Sequence, residues 1–340
     1  MKSAEMTSRS TLFQSWAEIP RPFFLGLVLS GGFLAFTAWD QSHWWRQKDD
    51  YAFGWLVPIF VAYVTFDRWP RIARSLQLAG QPGEFPDLTR DWLAPLYRLA
   101  AFLAVLGGSS LLLVGAAYRA AAGPSYNGTF AISLGTGALV LAAIYFLTPT
   151  DSAAPASRRD RERARMAGYF FFPAMVWLVS APMLAVVENN LNGFLMRQVT
   201  TVVFSLFDHL GLPLEQRGNI LVLPSGSVGV EEACSGIRSL TGCLYAGSAV
   251  AAVFLTQVWA KVGVLVASLL FAVLANLLRS IFLTAWAYRY GAKSIEGTIH
   301  DVSGYCILGL TIVALFCITP LLSPARGKVR PPKGRTNTIG

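Results

Sequence analysis

Long apolar runs constrain this chain more than any other feature of its sequence. A bilayer-spanning helix needs roughly 20 apolar residues, because its backbone polar groups must be satisfied internally. Such runs recur along the 340 residues, of which 54% are hydrophobic and only 14% charged. They predict an all-α polytopic transmembrane helix bundle of about eight spans. The predicted spans cover residues 22–38, 51–66, 95–117, 129–147, 169–187, 236–255, 262–286 and 302–322.

The whole chain, residues 1–340, is interpreted as a single integral-membrane domain. Its N-terminal spans occupy 1–168, the spans expected to carry the catalytic core occupy 169–322, and 323–340 form a basic cytoplasmic tail. No small-residue cleavage site follows the apolar run 22–38, so this run is interpreted as a span and not as a removed signal peptide.

Basic residues predict how the spans are oriented, because cytoplasmic loops carry an excess of Lys and Arg. The larger group, on one side of the predicted spans, is Lys2, Arg9, Arg21, Arg68, Arg71, Arg74, Arg90, Arg158, Arg159, Arg161, Arg163, Arg165, Lys261, Arg326, Lys328, Arg330, Lys333 and Arg335. The opposite group is Arg46, Lys48, Arg119, Arg197, Arg217, Arg289 and Lys293. Both termini are therefore expected in the cytoplasm, in a multi-pass protein of the cytoplasmic (inner) membrane.

The net charge of +9 is explained by this topological pattern, and no nucleic-acid partner is expected. The four cysteines form no C-x-x-C pair and the three histidines lack metal-ligand spacing, so neither a metal nor another cofactor is expected. Cys243, Cys306 and Cys317 lie inside apolar runs and are predicted to be packing residues.

Two elements are predicted in the longest outer segment, residues 188–235. Apolar residues at helical spacing from 191 to 210 indicate an amphipathic helix, which either lies in the membrane interface or packs on the bundle. Residues 220–223, a turn over 224–227 and residues 228–230 indicate a short hairpin directly before Cys234. An edge of that hairpin could hold an extended peptide by backbone pairing, and proline substitutions along 219–223 would test this pairing.

Three residues suited to thiol acyl transfer fall at the outer ends of predicted spans. Cys234 precedes an apolar helix whose free N–H groups and dipole favour a thiolate, although a small residue at a helix cap is the alternative. Arg279 either snorkels to the interface or lines a polar cavity, because a lipid-facing arginine costs on the order of 3 kcal/mol. His300 is either a structural interfacial residue or the acid and base beside the thiol.

At these residues the chain resembles the exosortase/archaeosortase family of integral-membrane cysteine transpeptidases. The matching elements are Glu232-Ala233-Cys234-Ser235-Gly236-Ile237-Arg238-Ser239-Leu240, Asn276-x-x-Arg279 and His300-Asp301-x-x-Gly304. The resemblance covers residues 169 to 322 well and the first half mainly by its span pattern. One position departs from the family: Tyr51-Ala52-Phe53-Gly54 stands where the family often has Tyr-x-His-Gly.

The resemblance implies sortase-like cleavage at the extracytoplasmic side of the membrane. Its substrates would be membrane-anchored secreted proteins with a C-terminal sorting signal, as in the PEP-CTERM class. Cys234 would form a thioester with the substrate, Arg279 would stabilise the transition state and His300 would be the acid and base. A lipid- or polysaccharide-linked amine would accept the protein, and membrane lipids are the remaining partners.

Other functions stay open from the sequence. A transporter or channel is the first alternative, because Asn276 and Arg279 inside a span could line a pathway. A non-enzymatic factor for polysaccharide export is the second. Within the enzyme class, a membrane cysteine peptidase that only hydrolyses its substrate is the third.

Overall fold

The computed structural model describes residues 19–78, 93–224, 226–229, 236–255 and 257–322. These residues form long α-helices with short links and one small sheet. The helices are α1 (Arg21–Gln47), α2 (Val57–Leu78), α3 (Ala94–Ala122), α4 (Tyr126–Leu147), α5 (Ala156–Val179), α6 (Ala185–His209), α7 (Gly236–Phe254), α8 (Val258–Tyr290) and α9 (Thr298–Leu322). The strands are β1 (Glu215–Arg217), β2 (Ile220–Leu223) and β3 (Gly226–Gly229), and two 3₁₀ segments cover Asp49–Leu56 and Ala292–Ile295.

Five helices in the described ranges are long and apolar enough to cross a membrane: α1, α3, α4, α8 and α9. The apolar part of α7, Ser239–Phe254, is shorter. An all-α polytopic bundle is therefore supported, whereas the predicted count of about eight spans is not confirmed. The predicted span 169–187 is divided between the end of α5 and the start of α6.

A buried carboxylate explains why α5 begins earlier than the sequence predicted. Residues 148–168 lie between two predicted spans, but 156–168 are already helical. Asp160 in this part is buried, accepting hydrogen bonds from Arg98 Nη2 at 2.6 Å and from the Tyr145 hydroxyl at 3.0 Å. Because these two partners come from α3 and α4, they hold the arginine-rich turn of α5 against the bundle.

Glycines allow α3 and α4 to pack backbone against backbone. A Cβ atom on Gly115 would lie 2.8 Å from the carbonyl oxygen of Gly128, and one on Gly135 would lie 2.7 Å from that of Gly108. Both distances are too short for a real Cβ, so a larger residue would separate the helices. Small residues at helix contacts are typical of membrane bundles, where close packing drives association.

Polar side chains inside the N-terminal part of the bundle contact one another. Gln41 of α1 donates to Ser133 Oγ at 2.7 Å and accepts from Ser180 Oγ at 2.9 Å. Asp40, which is fully buried, lies 3.2 Å from Arg119 Nη1. Helices α1, α3 and α4 are therefore joined by polar contacts that lipid could not replace.

The sheet confirms the predicted hairpin and adds one strand to it. β2 pairs with β3 in antiparallel register, with Leu223 opposite Gly226, and β1 pairs with the other edge of β2. The polar sequence of β1 carries no alternation of apolar and polar residues, which explains why it was missed. β2 is thus the central strand, and the edge expected along 219–223 belongs instead to β3.

The amphipathic helix α6 packs on the protein through one face. Val203 and Phe207 of this helix are buried together with Leu221 of β2, against Leu277 and Tyr288 of α8. Of the two predicted roles, packing on the bundle is the one that its buried face shows.

The connections bring several helix ends to one end of the bundle, the site end. The start of α7, the end of α8 and the start of α9 meet there because the links between these helices are short. The 3₁₀ segment Asp49–Leu56 reaches the same end, where Thr241 of α7 donates to the carbonyl oxygen of Asp50 at 3.0 Å. At the opposite end, Arg68 and Lys261 lie 5.6 and 5.7 Å from the ring of Phe172.

Candidate active site

Arg279 and His300, two of the three predicted site residues, are in direct contact. Arg279 lies in the second half of α8 and is only 6% exposed. Its Nη2 lies 2.9 Å from His300 Nε2 and donates to the His300 carbonyl oxygen at 3.0 Å, while its Nε donates to Ser303 Oγ at 3.2 Å. The first turns of α9 therefore surround the guanidinium, and Arg279 does not snorkel to the interface.

The contact with Arg279 determines the tautomer of His300. A guanidinium only donates hydrogen bonds, so Nε2 must accept and the ring proton must be on Nδ1. Nδ1 faces Asp301 Oδ1 at the long distance of 3.5 Å. In this arrangement Nε2 of His300 faces a permanent cation.

Two residues beside this pair were not named as functional by the sequence analysis. Ser303 also donates to the His300 carbonyl oxygen at 2.8 Å, and it lies one helical turn after His300, a spacing that could have identified it. Gly304 packs on the guanidinium, since a Cβ there would lie 3.5 Å from Arg279 Nη2. Together they fit the first turns of α9 around Arg279.

The charge of Arg279 has no carboxylate partner in the described ranges. No Asp or Glu of these residues forms an ion pair with it, and its Nη1 has no hydrogen-bond partner among them. Asn276, one turn earlier, is also buried, and its Oδ1 lacks a partner within the same residues. A cation held only by neutral groups can still stabilise a negative charge on a ligand.

Arg279 lines a cavity of about 500 Å³ between helices, termed the interhelical cavity. Its walls come from the 3₁₀ segment Asp49–Leu56, α7, α8 and α9, and include Asp49, Asp50, Phe53, Ser239, Gly242 and Tyr305. Phe53 stacks on Tyr245 of α7 with 5.1 Å between ring centroids. The position that departs from the family motif thus belongs to the wall of the cavity that Arg279 lines.

Cys243 lines the same cavity and is buried, as its packing role predicted. Cys306 and Cys317 are exposed on the surface of α9, so the prediction that they pack inside the protein was wrong. An apolar helix in a membrane offers lipid as well as protein to its side chains, and the sequence does not distinguish the two.

A second space opens on the other side of the pair, between the sheet and the link from α8 to α9. This strand groove has a volume of about 680 Å³ and is lined by β3, by residues 290–293 and 295–297 of the link, and by His300. Arg279 therefore borders the interhelical cavity while His300 borders the strand groove, and the two side chains meet between them.

Cys234 lies outside the described residues, so its expected position beside Arg279 and His300 stays a prediction. The described chain resumes at Gly236, the first residue of α7. Within the described residues, no group of three His, Cys, Asp or Glu side chains could hold a metal ion.

Among the comparisons with known proteins, one family model matches the chain. The family model described as transmembrane exosortase (Exosortase_EpsH) matches residues 44–317, from the end of α1 almost to the end of α9. No curated protein and no solved structure shows significant similarity to the chain. The match covers most of the 340 residues and includes Cys234, Arg279 and His300. The chain therefore belongs to the transmembrane exosortase family.

Proposed function

We propose that this exosortase is a membrane cysteine transpeptidase that cleaves the C-terminal sorting signal of membrane-anchored proteins and transfers them to an amine acceptor. The observation that carries the proposal is the contact between Arg279 Nη2 and His300 Nε2 at 2.9 Å. A buried cation without a carboxylate partner in the described ranges and an imidazole in contact with it are two of the three groups that thiol acyl transfer requires.

Covalent connection supports Cys234 as the third group. Two peptide units separate it from Gly236, so its Cα lies within roughly 7.6 Å of the start of α7. Ser239 and Gly242, in the first two turns of α7, line the interhelical cavity together with Arg279. Cys234 is therefore tethered to the helix that forms one wall of this cavity.

In the first step, Cys234 would transfer its proton to His300 and attack the substrate carbonyl. Nε2 must release Arg279 to accept that proton, which frees Nη2 for the developing oxyanion. The C–N bond then breaks, His300 protonates the leaving amine, and a thioester links the substrate to Cys234. The leaving group carries the substrate's transmembrane helix and basic tail.

In the second step, an amine acceptor attacks the thioester. His300 takes the proton of the amine, the new C–N bond forms and the Cys234 thiolate leaves. Lipid- or polysaccharide-linked amines are the acceptors proposed here. Water in place of the amine would give hydrolysis by the same residues.

The location proposed for this chemistry is the extracytoplasmic side of the inner membrane. The predicted orientation supports it, because cytoplasmic loops carry the excess of basic residues. Arg68 and Lys261 lie at the end of the bundle opposite Arg279 and His300. A transporter or export factor is less well supported, since the Arg279 donors are directed to the first turns of α9.

Two cysteine variants test the proposal. A reporter should carry a C-terminal segment from a secreted protein of the same organism, with a short motif, one transmembrane helix and a basic tail. We expect Cys234→Ala to abolish its cleavage and Cys243→Ala, the control in the interhelical cavity, to retain it. Both proteins must be present at wild-type levels in the membrane.

Normal cleavage by Cys234→Ala would refute the transpeptidase. If Cys243→Ala lost cleavage and Cys234→Ala did not, the nucleophile would be Cys243, and the assignment of Cys234 would be wrong. Mass spectrometry of the mature C-terminus separates the two outcomes of the second step, because an attached acceptor adds mass and hydrolysis leaves a free carboxylate.

A further inference from the structure

We propose that β3 is the binding edge for the substrate, and that the segment preceding the scissile bond adds to it as a further strand in the strand groove. This inference rests on the proposed function and names the part of the protein that holds the substrate. It differs from the sequence-based expectation, which placed the pairing along 219–223.

The position of β3 in the sheet makes it the available edge. The strand order is β1-β2-β3, so both edges of β2 are already paired. Within the described ranges, no strand pairs with the outer edge of β3, and residues of this strand line the strand groove. The backbone N–H and C=O groups of such an edge can hold an extended peptide, largely independently of its side chains.

The sequence of β3 suits contact with another backbone better than it suits a stable strand. Gly226-Ser227-Val228-Gly229 has two glycines in four residues, although glycine is depleted in strands. Glycine within a strand often marks a place where another backbone approaches closely. A Cβ on Gly229 would meet no atom of the described residues within 4 Å, so these residues leave the space beside it open.

The strand groove borders the proposed catalytic residues. His300 forms part of its lining, and His300 contacts Arg279 on the far side. A peptide that follows β3 would therefore deliver its next carbonyl group to these two residues. Its transmembrane helix would continue away from the groove, along the membrane-facing part of the protein.

A rigid support connects the strand to the catalytic helix. Val228 of β3 is buried against Leu223 of β2 and Ala287 of α8. Ala287 follows Arg279 on the same helix by about two turns, so α8 holds both the binding edge and the guanidinium. Such a shared support keeps the scissile bond at a constant distance from Arg279, which acyl transfer requires.

A proline at Gly229 tests the binding edge. The hairpin is closed by the pair Leu223–Gly226, so the N–H of Gly229 points away from β2, and Gly229→Pro removes it; we expect the protein to fold and the cleavage of the reporter to fall at least about tenfold. The matched control is Gly229→Val, which keeps this N–H and directs its side chain to the sheet face opposite the buried Val228. It should cleave like the wild type.

Alkylation of Cys234 by a small maleimide distinguishes loss of peptide binding from loss of thiol reactivity. We expect Gly229→Pro to react at the wild-type rate, since only the pairing of the peptide with β3 is weakened. Wild-type cleavage by Gly229→Pro would overturn binding along β3 while leaving the transpeptidase intact. Cleavage by Cys234→Ala would instead overturn the proposed function itself.

Photocrosslinking gives a second measurement that does not depend on turnover. A benzoylphenylalanine at position 227, in a Cys234→Ala protein, should capture the reporter through residues just before its cleavage site. The same group at position 309 should not capture that segment. Capture only of the reporter's transmembrane helix, or no capture at all, would contradict binding along β3.

Discussion

Two arginines of the bundle, Arg119 and Arg279, are held in different ways. Arg119 lies 3.2 Å from the fully buried carboxylate of Asp40 and 4.9 Å from the ring of Trp39. Arg279 is held by the imidazole and carbonyl of His300 and by the Ser303 hydroxyl. The first charge is neutralised within the protein, whereas the second has only neutral partners in the described ranges.

The difference separates a structural cation from one that can act on a ligand. The charge of a paired arginine is neutralised by its carboxylate, and removing either partner leaves the other without its counter-charge. An arginine held by neutral groups keeps its charge for an anion that arrives later, such as the oxyanion of a tetrahedral intermediate. Stability should therefore depend mainly on Arg119, and cleavage on Arg279.

The largest expected effect is on the stability of the Arg119 pair. Arg119→Met should lower the free energy of unfolding by about 3–5 kcal/mol, because Asp40 is left as an isolated buried charge. Thermal denaturation in detergent measures the loss. Asp40→Asn combined with Arg119→Met should recover much of it, and an equally unstable double variant would contradict the pairing.

A smaller but more specific effect is expected at Arg279. Arg279→Lys keeps the charge but cannot reproduce the hydrogen bonds to Ser303 and His300, so cleavage of the reporter should fall by about 10²–10³-fold. Protein levels should stay close to wild type. Arg119→Lys, its counterpart, should change the cleavage rate per folded molecule little, and equal losses for both variants would remove the distinction.

The smallest effect is expected at Ser303. Ser303→Ala removes the acceptor of Arg279 Nε and one donor to the His300 carbonyl, which should reduce cleavage by roughly three- to tenfold. Ser303→Thr retains a hydroxyl and should restore part of the rate. If Ser303→Ala were fully active, Ser303 would not position Arg279.

The positions of Arg279 and His300 were predictable because they follow from topology. Once residues 236–322 are divided into three spans with short links, one end of each span must meet the others. The details of the contact were not predictable. Whether Arg279 faces lipid or protein depends on the rotation of α8, which hydropathy does not determine because α8 is apolar on most of its surface.

The helical conformation of the charged residues at the start of α5 was the hardest feature to predict from the sequence. The arginines of residues 158–165 lie outside the predicted spans, yet Asp160 accepts hydrogen bonds from Arg98 and Tyr145 in distant parts of the chain. A pairing across such a separation has no local signature. By contrast, β2 and β3 were predicted from a turn and two short apolar runs, because a hairpin is made by neighbouring residues.

The close contact of α3 and α4 has a consequence for how the protein is made. These helices are joined by a short link and meet through glycines, so they can enter the bilayer together as a hairpin. α1 is synthesised first, so Asp40 lacks its ion-pair partner until Arg119 has been synthesised. The ion pair therefore forms only after the hairpin arrives, and an intermediate that stops before residue 119 is exposed to quality control.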